Sequence, residues 1–170
     1  ALSSAASDVY KRQVWTSDNT EALSRARIQY GTSLFYPAVV MGSHVSATPN
    51  HQTGNITPIK FRFDMACAGR LGMELQPRQM TDEERQFARR AIASYKEYRD
   101  IVMQGDLYRI GTPYDKSGCY GLMYVSKDRK QAVLFTYSLR YQGRSLIPKF
   151  RLQGLDPKTG YTIRELNVDK

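Results

Sequence analysis

At Gly105 the hydrophobic period of the chain changes, and one uniform architecture cannot serve both sides of it. Just upstream, MTDEERQFARRAIASYKEYRDIVMQG (80–105) carries the strongest helical signal. Thr81 and Glu84 form a capping box, Asp82 and Glu83 suit the positive helix end, and Phe87, Ala91, Ile92 and Tyr95 trace one apolar stripe that reads as core. Downstream, DLYRI, CYGLMYVS, QAVLFTYSLR, KFRLQ and YTIREL are short aromatic and β-branched runs. They are separated by turn chemistry in TPYDKSG, SKDRK and LDPKTG. Residues 105–170 therefore read as an antiparallel β-module.

Residues 14–104 read differently. A short helix is expected over 19–30, with Leu23, Ala26 and Tyr30 available to one face. LFYPAVV (34–40) and SHVSA (43–47) are strand-sized apolar pieces, and SATPNHQTGN (46–55) is loop by composition. A helix started by Pro58 leads to Gly69 and a buried strand around Leu71–Leu75. Alternating strands and helices imply a parallel sheet, but so few strands cannot bury such a sheet on both faces. With 41% hydrophobic residues the composition supports a real core, so the expectation is that something is missing from this sheet.

The stretch VWTSDNTEALSRARIQYG (14–31) poses a choice about Asp18. If Asp18 is the helix N-cap, Glu21 falls at N3 and completes a capping box, and Glu21 and Arg25 stand four apart in the favourable orientation. A carboxylate at a helix N-terminus is stabilised in its ionised form, whereas a general acid must hold its proton. A chemical role for Asp18 therefore calls for a second carboxylate nearby.

The net charge of +9 is scattered. Its densest runs are KDRK (127–130), a hairpin turn, and RQFARR (85–90), offset by three preceding acids, so a solvated surface is favoured over a nucleic-acid site. Cys67 and Cys119 lack metal-type spacing and read as reduced and at least half-buried. His44 and His51 have no acidic or cysteine companion at ligand spacing, so neither a metal nor a cofactor is expected. No stretch is long and apolar enough to cross a membrane, and the first dozen residues lack a secretory core; the expected location is cytoplasmic, subject to the true N-terminus.

WTSDNTEALSRARIQYGTSLFYP, MGSHVSATPNHQTGNITPIKFRFDMACAGRLGMEL and GDLYRIGTPYD together resemble the C-terminal portion of bacterial α-galactosidases of glycoside hydrolase family 36. The likeness runs from about residue 13 to the end. It implies an α/β plus all-β fold: residues 14–104 would be the last βα units of a (β/α)8 barrel, and 105–170 the C-terminal antiparallel β-sheet domain. ALSSAASDVYKRQ (1–13) has no family counterpart and resembles translated sequencing-library sequence.

The same resemblance implies roles. The family's acid/base aspartate sits in a Ser-Asp-x-Thr motif, here Ser17–Thr20, which makes Asp18 the general acid/base. Its nucleophile belongs to an upstream lysine-x-aspartate motif, and none precedes residue 14, so the fragment alone is expected to be inactive. Glu21 stands where many relatives have aspartate, a change that keeps a carboxylate. Trp15 is a candidate contact to sugar or aglycone, and His44 and Asn50 are candidates for the rim. The implied partners are α-galactoside oligosaccharides such as melibiose and raffinose, with no nucleic acid or membrane, and the parent is compatible with a homo-oligomer. Two rival readings stand beside this one. The first is a nonenzymatic basic β-module binding RNA or polysaccharide through Tyr108, Tyr120, Tyr124 and Tyr137. The second keeps the family but changes the reaction to galactosyl transfer or the substrate to N-acetylgalactosaminides.

Overall fold

The computed structural model describes residues 13–140 and 149–166. The expectation for residues 1–13 therefore lies, apart from Gln13, outside the described residues. The chain forms a helix/strand part followed by an antiparallel sheet.

In the first part a parallel bridge at Val14 pairs with Met41, at the threshold of β1 (Gly42–Ser46), and β1 pairs in parallel with β2 (Arg70–Glu74). Each of these extended pieces leads into a helix: α1 (Ala22–Thr32), α2 (Ile59–Cys67) and α3 (Asp82–Gln104). Pleating sends Ser43 and Val45 of β1 to the helical side. There Ser43 Oγ donates to Gln29 Oε1 of α1, and Val45 packs with Phe63, Phe87 and Ala91 of α2 and α3. Gly42, His44 and Ser46 face the opposite way.

α3 forms as its sequence dictates. Thr81 Oγ1 accepts from the Glu84 N–H at 3.1 Å, Glu84 Oε2 accepts from the Thr81 N–H at 3.2 Å, and Phe87, Ala88, Ala91, Tyr95 and Val102 are buried. One strand reading fails, and another holds in position but not in burial. LFYPAVV is no strand: backbone bonds Leu34 N–H to Gly31 O and Tyr36 N–H to Thr32 O continue the turns of α1, and residues 38–40 form a 3-10 turn after Pro37. The strand around Leu71 is not buried; both ends of β2 are exposed, because among the described residues only β1 pairs with it.

The second part is a meander of β3 (Asp106–Gly111), β4 (Cys119–Val125) and β5 (Ala132–Ser138), with Leu107 opposite Tyr124 and Tyr120 opposite Tyr137. KFRLQ and YTIREL, read as strands, join no ladder among the described residues. Residues 149–154 instead lie near the sheet. Phe150 sits where a side chain at Gly121 would meet it, and Gly154, at φ +76°, leaves room for the Tyr108 ring.

Tyrosines join the two parts. The Tyr120, Tyr137 and Tyr124 hydroxyls donate to the carbonyls of Ala26 on α1, Asp64 on α2 and Ala68 just after α2, and the Tyr120 and Tyr137 rings stack 4.9 Å apart. An amphipathic ring suits this seam, since its face fills apolar space while its hydroxyl satisfies a buried carbonyl. The RNA- or polysaccharide-binding rival fails here. Three of its four stacking rings are buried against α1, α2 and Val102 of α3, and the Tyr108 ring is partly covered at Gly154.

Candidate active site

Asp18 stands exposed four residues beyond the Val14 bridge, and it is not the cap of the following helix. That role falls to Glu21, only 1% exposed, whose carboxylate accepts from the N–H groups of Leu23 (2.9 Å) and Ser24 (2.7 Å) and from the Ser24 hydroxyl. The helix accordingly starts at Ala22, and the expected Asp18–Glu21 capping box does not form. Nor does Glu21 support Arg25 through a side-chain pair, since Arg25 reaches elsewhere. The physical reason is that Asp18 has another engagement: its Oδ1 accepts from Trp15 Nε1 at 2.9 Å. Asp18 is thereby free of the capping role, which Glu21 fills.

This separation has a measurable consequence. Removing a cap costs about 0.5–2 kcal/mol. Glu21→Ala is therefore expected to lower the thermal unfolding temperature, while Asp18→Ala, an exposed change outside the helix, should shift stability by no more than about 0.5 kcal/mol. Thermal unfolding followed by circular dichroism checks this, and comparable losses in both variants would contradict the assignment of the cap.

Beneath the loop that carries Asp18 lies a buried polar network. Arg25, 3% exposed, donates to Gly42 O (2.7 Å), Ser17 O (3.3 Å) and Gln29 Oε1 (3.1 Å), and Gln29 Nε2 donates on to Met65 O (2.9 Å). Burial pulls the Arg25 guanidinium down to about 10, with the charge of Glu74 holding it up, so it remains protonated at neutral pH. Arg25 thus ties α1 both to the start of β1 and to the residue preceding Asp18.

Trp15 is 45% exposed, and its ring lies against the imidazole of His44, centroids 4.7 Å apart with planes at 49°. Burial pushes His44 below its usual range, Glu74 pulls it up and Arg25 pushes it down. His44 Nδ1 is buried and has no hydrogen-bond partner among the described residues; the same holds for Thr16 Oγ1, Thr20 Oγ1 and Asn50 Nδ2.

Of the residues singled out from sequence, the fold brings Trp15, Asp18 and His44 together. Asn50 is held within its own loop, where its Oδ1 accepts from the N–H groups of Gln52 and Thr53. That loop is fastened from below by Arg62, which donates to Ser46 O and Thr57 O and pairs with Glu84 Oε1 at 2.6 Å. The contact of Trp15 with His44 had no signal in the sequence beyond a glycine, Gly72, in the neighbouring short strand. Among the described residues no group of three or more His, Cys, Asp and Glu is placed to hold a metal ion, and no helix is long and apolar enough to cross a membrane.

Comparison with known proteins gives this geometry a context. The Melibiase family matches residues 7–105, and the glycosyl hydrolase family 36 C-terminal domain matches residues 120–169. The chain is 41% identical over 159 residues to α-galactosidase AgaA of Geobacillus stearothermophilus, covering 94% of this chain and 22% of that protein. It is 43% identical over 155 residues to the probable α-galactosidase C of Aspergillus flavus, covering 91% and 20%. Among solved structures, the galactosidase domain of the α-galactosidase-sucrose kinase AgaSK superposes with a TM-score of 0.82 at 42% identity, covering 86% of this chain and 20% of that one. A variant of Geobacillus stearothermophilus AgaA in complex with raffinose gives 0.81 at 41% identity, covering 85% and 20%. The chain spans about a fifth of the length of the curated relatives it matches.

Proposed function

We propose, from the premise that this chain belongs to the melibiase family, glycoside hydrolase family 36, that it supplies the acid/base half of a retaining α-galactosidase site. Asp18 is the general acid/base, and the nucleophilic carboxylate comes from protein outside these residues. The chain by itself does not turn over.

The observation that carries this reading is the engagement of Asp18 by Trp15 while Glu21 caps the helix. An indole N–H can only donate, so Oδ1 stays an acceptor and the transferable proton rides on Oδ2. In the first step Oδ2 gives that proton to the glycosidic oxygen as the bond from C1 breaks and the nucleophile bonds to C1. In the second step Asp18, now ionised, takes a proton from water whose oxygen attacks C1 and releases the nucleophile. The two carboxyl groups of such a pair stand about 5–5.5 Å apart, and the charge of an ionised nucleophile favours the protonated acid until the glycosyl bond removes it.

The architecture supports the same reading. Val14, β1 and β2 are adjacent in chain order, parallel, and each is followed by a helix, the pattern of consecutive units of a (β/α)8 barrel. Asp18 and the loop after β1 then lie at the C-terminal ends of the strands, where such barrels build their sites. Substrates are α-galactosides of the raffinose and stachyose type, sugars found with structures of related α-galactosidases. The exposed part of the Trp15 ring is placed to meet sugar or aglycone.

Proton magnetic resonance of the α-galactosidase that contains this segment, recorded in the first minutes of raffinose hydrolysis, tests the proposal. α-Galactose is expected to appear before its anomers equilibrate, and β-galactose as the first product would overturn a retaining mechanism.

A further inference from the structure

A single hydrogen bond from an exposed indole is a weak way to orient a carboxylate, because the ring can rotate about its two side-chain torsions. In this structure the ring is held from one side. The His44 imidazole lies against it, and that imidazole is itself seated in a notch on the neighbouring strand. His44 and Gly72 are register partners on β1 and β2, and a Cβ built on Gly72 would stand 2.3 Å from His44 Cδ2 and 2.4 Å from Nε2. Only glycine at position 72 leaves the imidazole where it is.

We propose that His44 is a positioning residue. Seated in the notch at Gly72, it holds the Trp15 indole so that its N–H stays on Asp18 Oδ1 and Oδ2 is left for the proton. The proposal rests on the reading of Asp18 as the acid/base and adds a residue that acts only through Trp15. The charged groups bearing on the imidazole are Glu74 of β2 and Arg25 of α1, and burial outweighs the pull of Glu74. The ring is therefore neutral near pH 7, and its contact with the indole is one of packing, with no added cation beside Asp18.

The test uses Trp15 as a probe, since it is the one tryptophan in the sequence. In isotope-labelled chain its indole proton gives one resonance, whose position and solvent exchange report the bond to Asp18. Asp18→Ala marks where the resonance lies when the bond is lost. His44→Ala and Gly72→Ala are both expected to move it toward that position and to speed exchange severalfold, and His44→Phe, which keeps a flat ring, is expected to restore it. An indole resonance unchanged in folded His44→Ala, or in Gly72→Ala if the first variant does not fold, overturns the proposal.

A kinetic arm uses the α-galactosidase that contains this segment. His44→Ala is expected to lower kcat on raffinose about tenfold to a hundredfold with little change in KM. The loss should be smaller on an activated aryl galactoside, whose leaving group needs little protonation. Equal losses on the two substrates would count against positioning. The resonance arm needs no turnover, so a wrong assignment of Asp18 and a wrong assignment of His44 give different results.

Discussion

On the proposed reading, Asp18→Ala, made in the full-length protein, is expected to cut kcat/KM for raffinose by about 10²- to 10⁴-fold, the usual contribution of a positioned proton donor. The same variant should keep far more of its rate on an activated aryl α-galactoside, because a good leaving group departs with little help. The structure sharpens the interpretation of this experiment. Asp18 is exposed and among the described residues its side chain bonds only to Trp15, while the helix end is satisfied by Glu21. A folding defect is therefore not expected from Asp18→Ala, and any fall in activity bears on chemistry. Steady-state rates on the two substrates, with thermal unfolding as a control, decide the matter. Equal losses on both would mean that Asp18 has no role in proton transfer.

The largest effect on stability is expected at Arg25. Each buried acceptor left unpaired costs about 1–3 kcal/mol. Gln29 Oε1 keeps its bond from the Ser43 hydroxyl when Arg25 is removed, but Gly42 O and Ser17 O lose theirs. Against this stands the cost of burying the guanidinium charge, visible as its pull down to about 10, which any neutral replacement relieves. The two unpaired carbonyls outweigh that relief. Arg25→Met, which keeps much of the volume, should cost about 2 kcal/mol. Arg25→Ala adds a cavity and should cost about 4 kcal/mol. In a chain of this length the first corresponds to a fall of about 4–8 °C in Tm, read by circular dichroism. A change below 1 °C in both variants would show that the network contributes nothing net.

The two substitutions act on different links. In the proposed reading Asp18 carries the chemistry, and Arg25 holds the frame on which Asp18 sits, because its bonds join α1 to the start of β1 and to the residue preceding Asp18. Loss of Arg25 should therefore also loosen the site, whereas loss of Asp18 should leave the frame intact.

Some of this was legible in the residues alone. The capping box of Thr81 and Glu84 and the stripe of Phe87, Ala91 and Tyr95 specify α3 locally, because cap and period lie within a few turns of one another. The hairpin at KDRK is local in the same way: Arg129 adopts φ 58° in a turn closed by Ser126 and Asp128. LFYPAVV misled because a strand and a short apolar linker share the same composition. Nothing local says that α1 continues into turns there, and Phe35 ends 82% exposed. KFRLQ misled for the complementary reason: an aromatic strand-like run can lie near a sheet, as Phe150 lies near Gly121, without pairing with it.

For the candidate site the division is sharper. The motif WTSDNTEALSR by itself established that two carboxylates stand three residues apart before a helix, and its likeness to a known family named one of them as the acid. Which of the two caps the helix was decided by tertiary structure. Asp18 is the ordinary choice for a cap and Glu21 is not. What reverses the preference is an indole held by an imidazole from β1, which in turn needs a glycine on β2. Trp15 lies three residues from Asp18, but His44 and Gly72 are distant in sequence and reach it only when the strands pair, so no local pattern could report them.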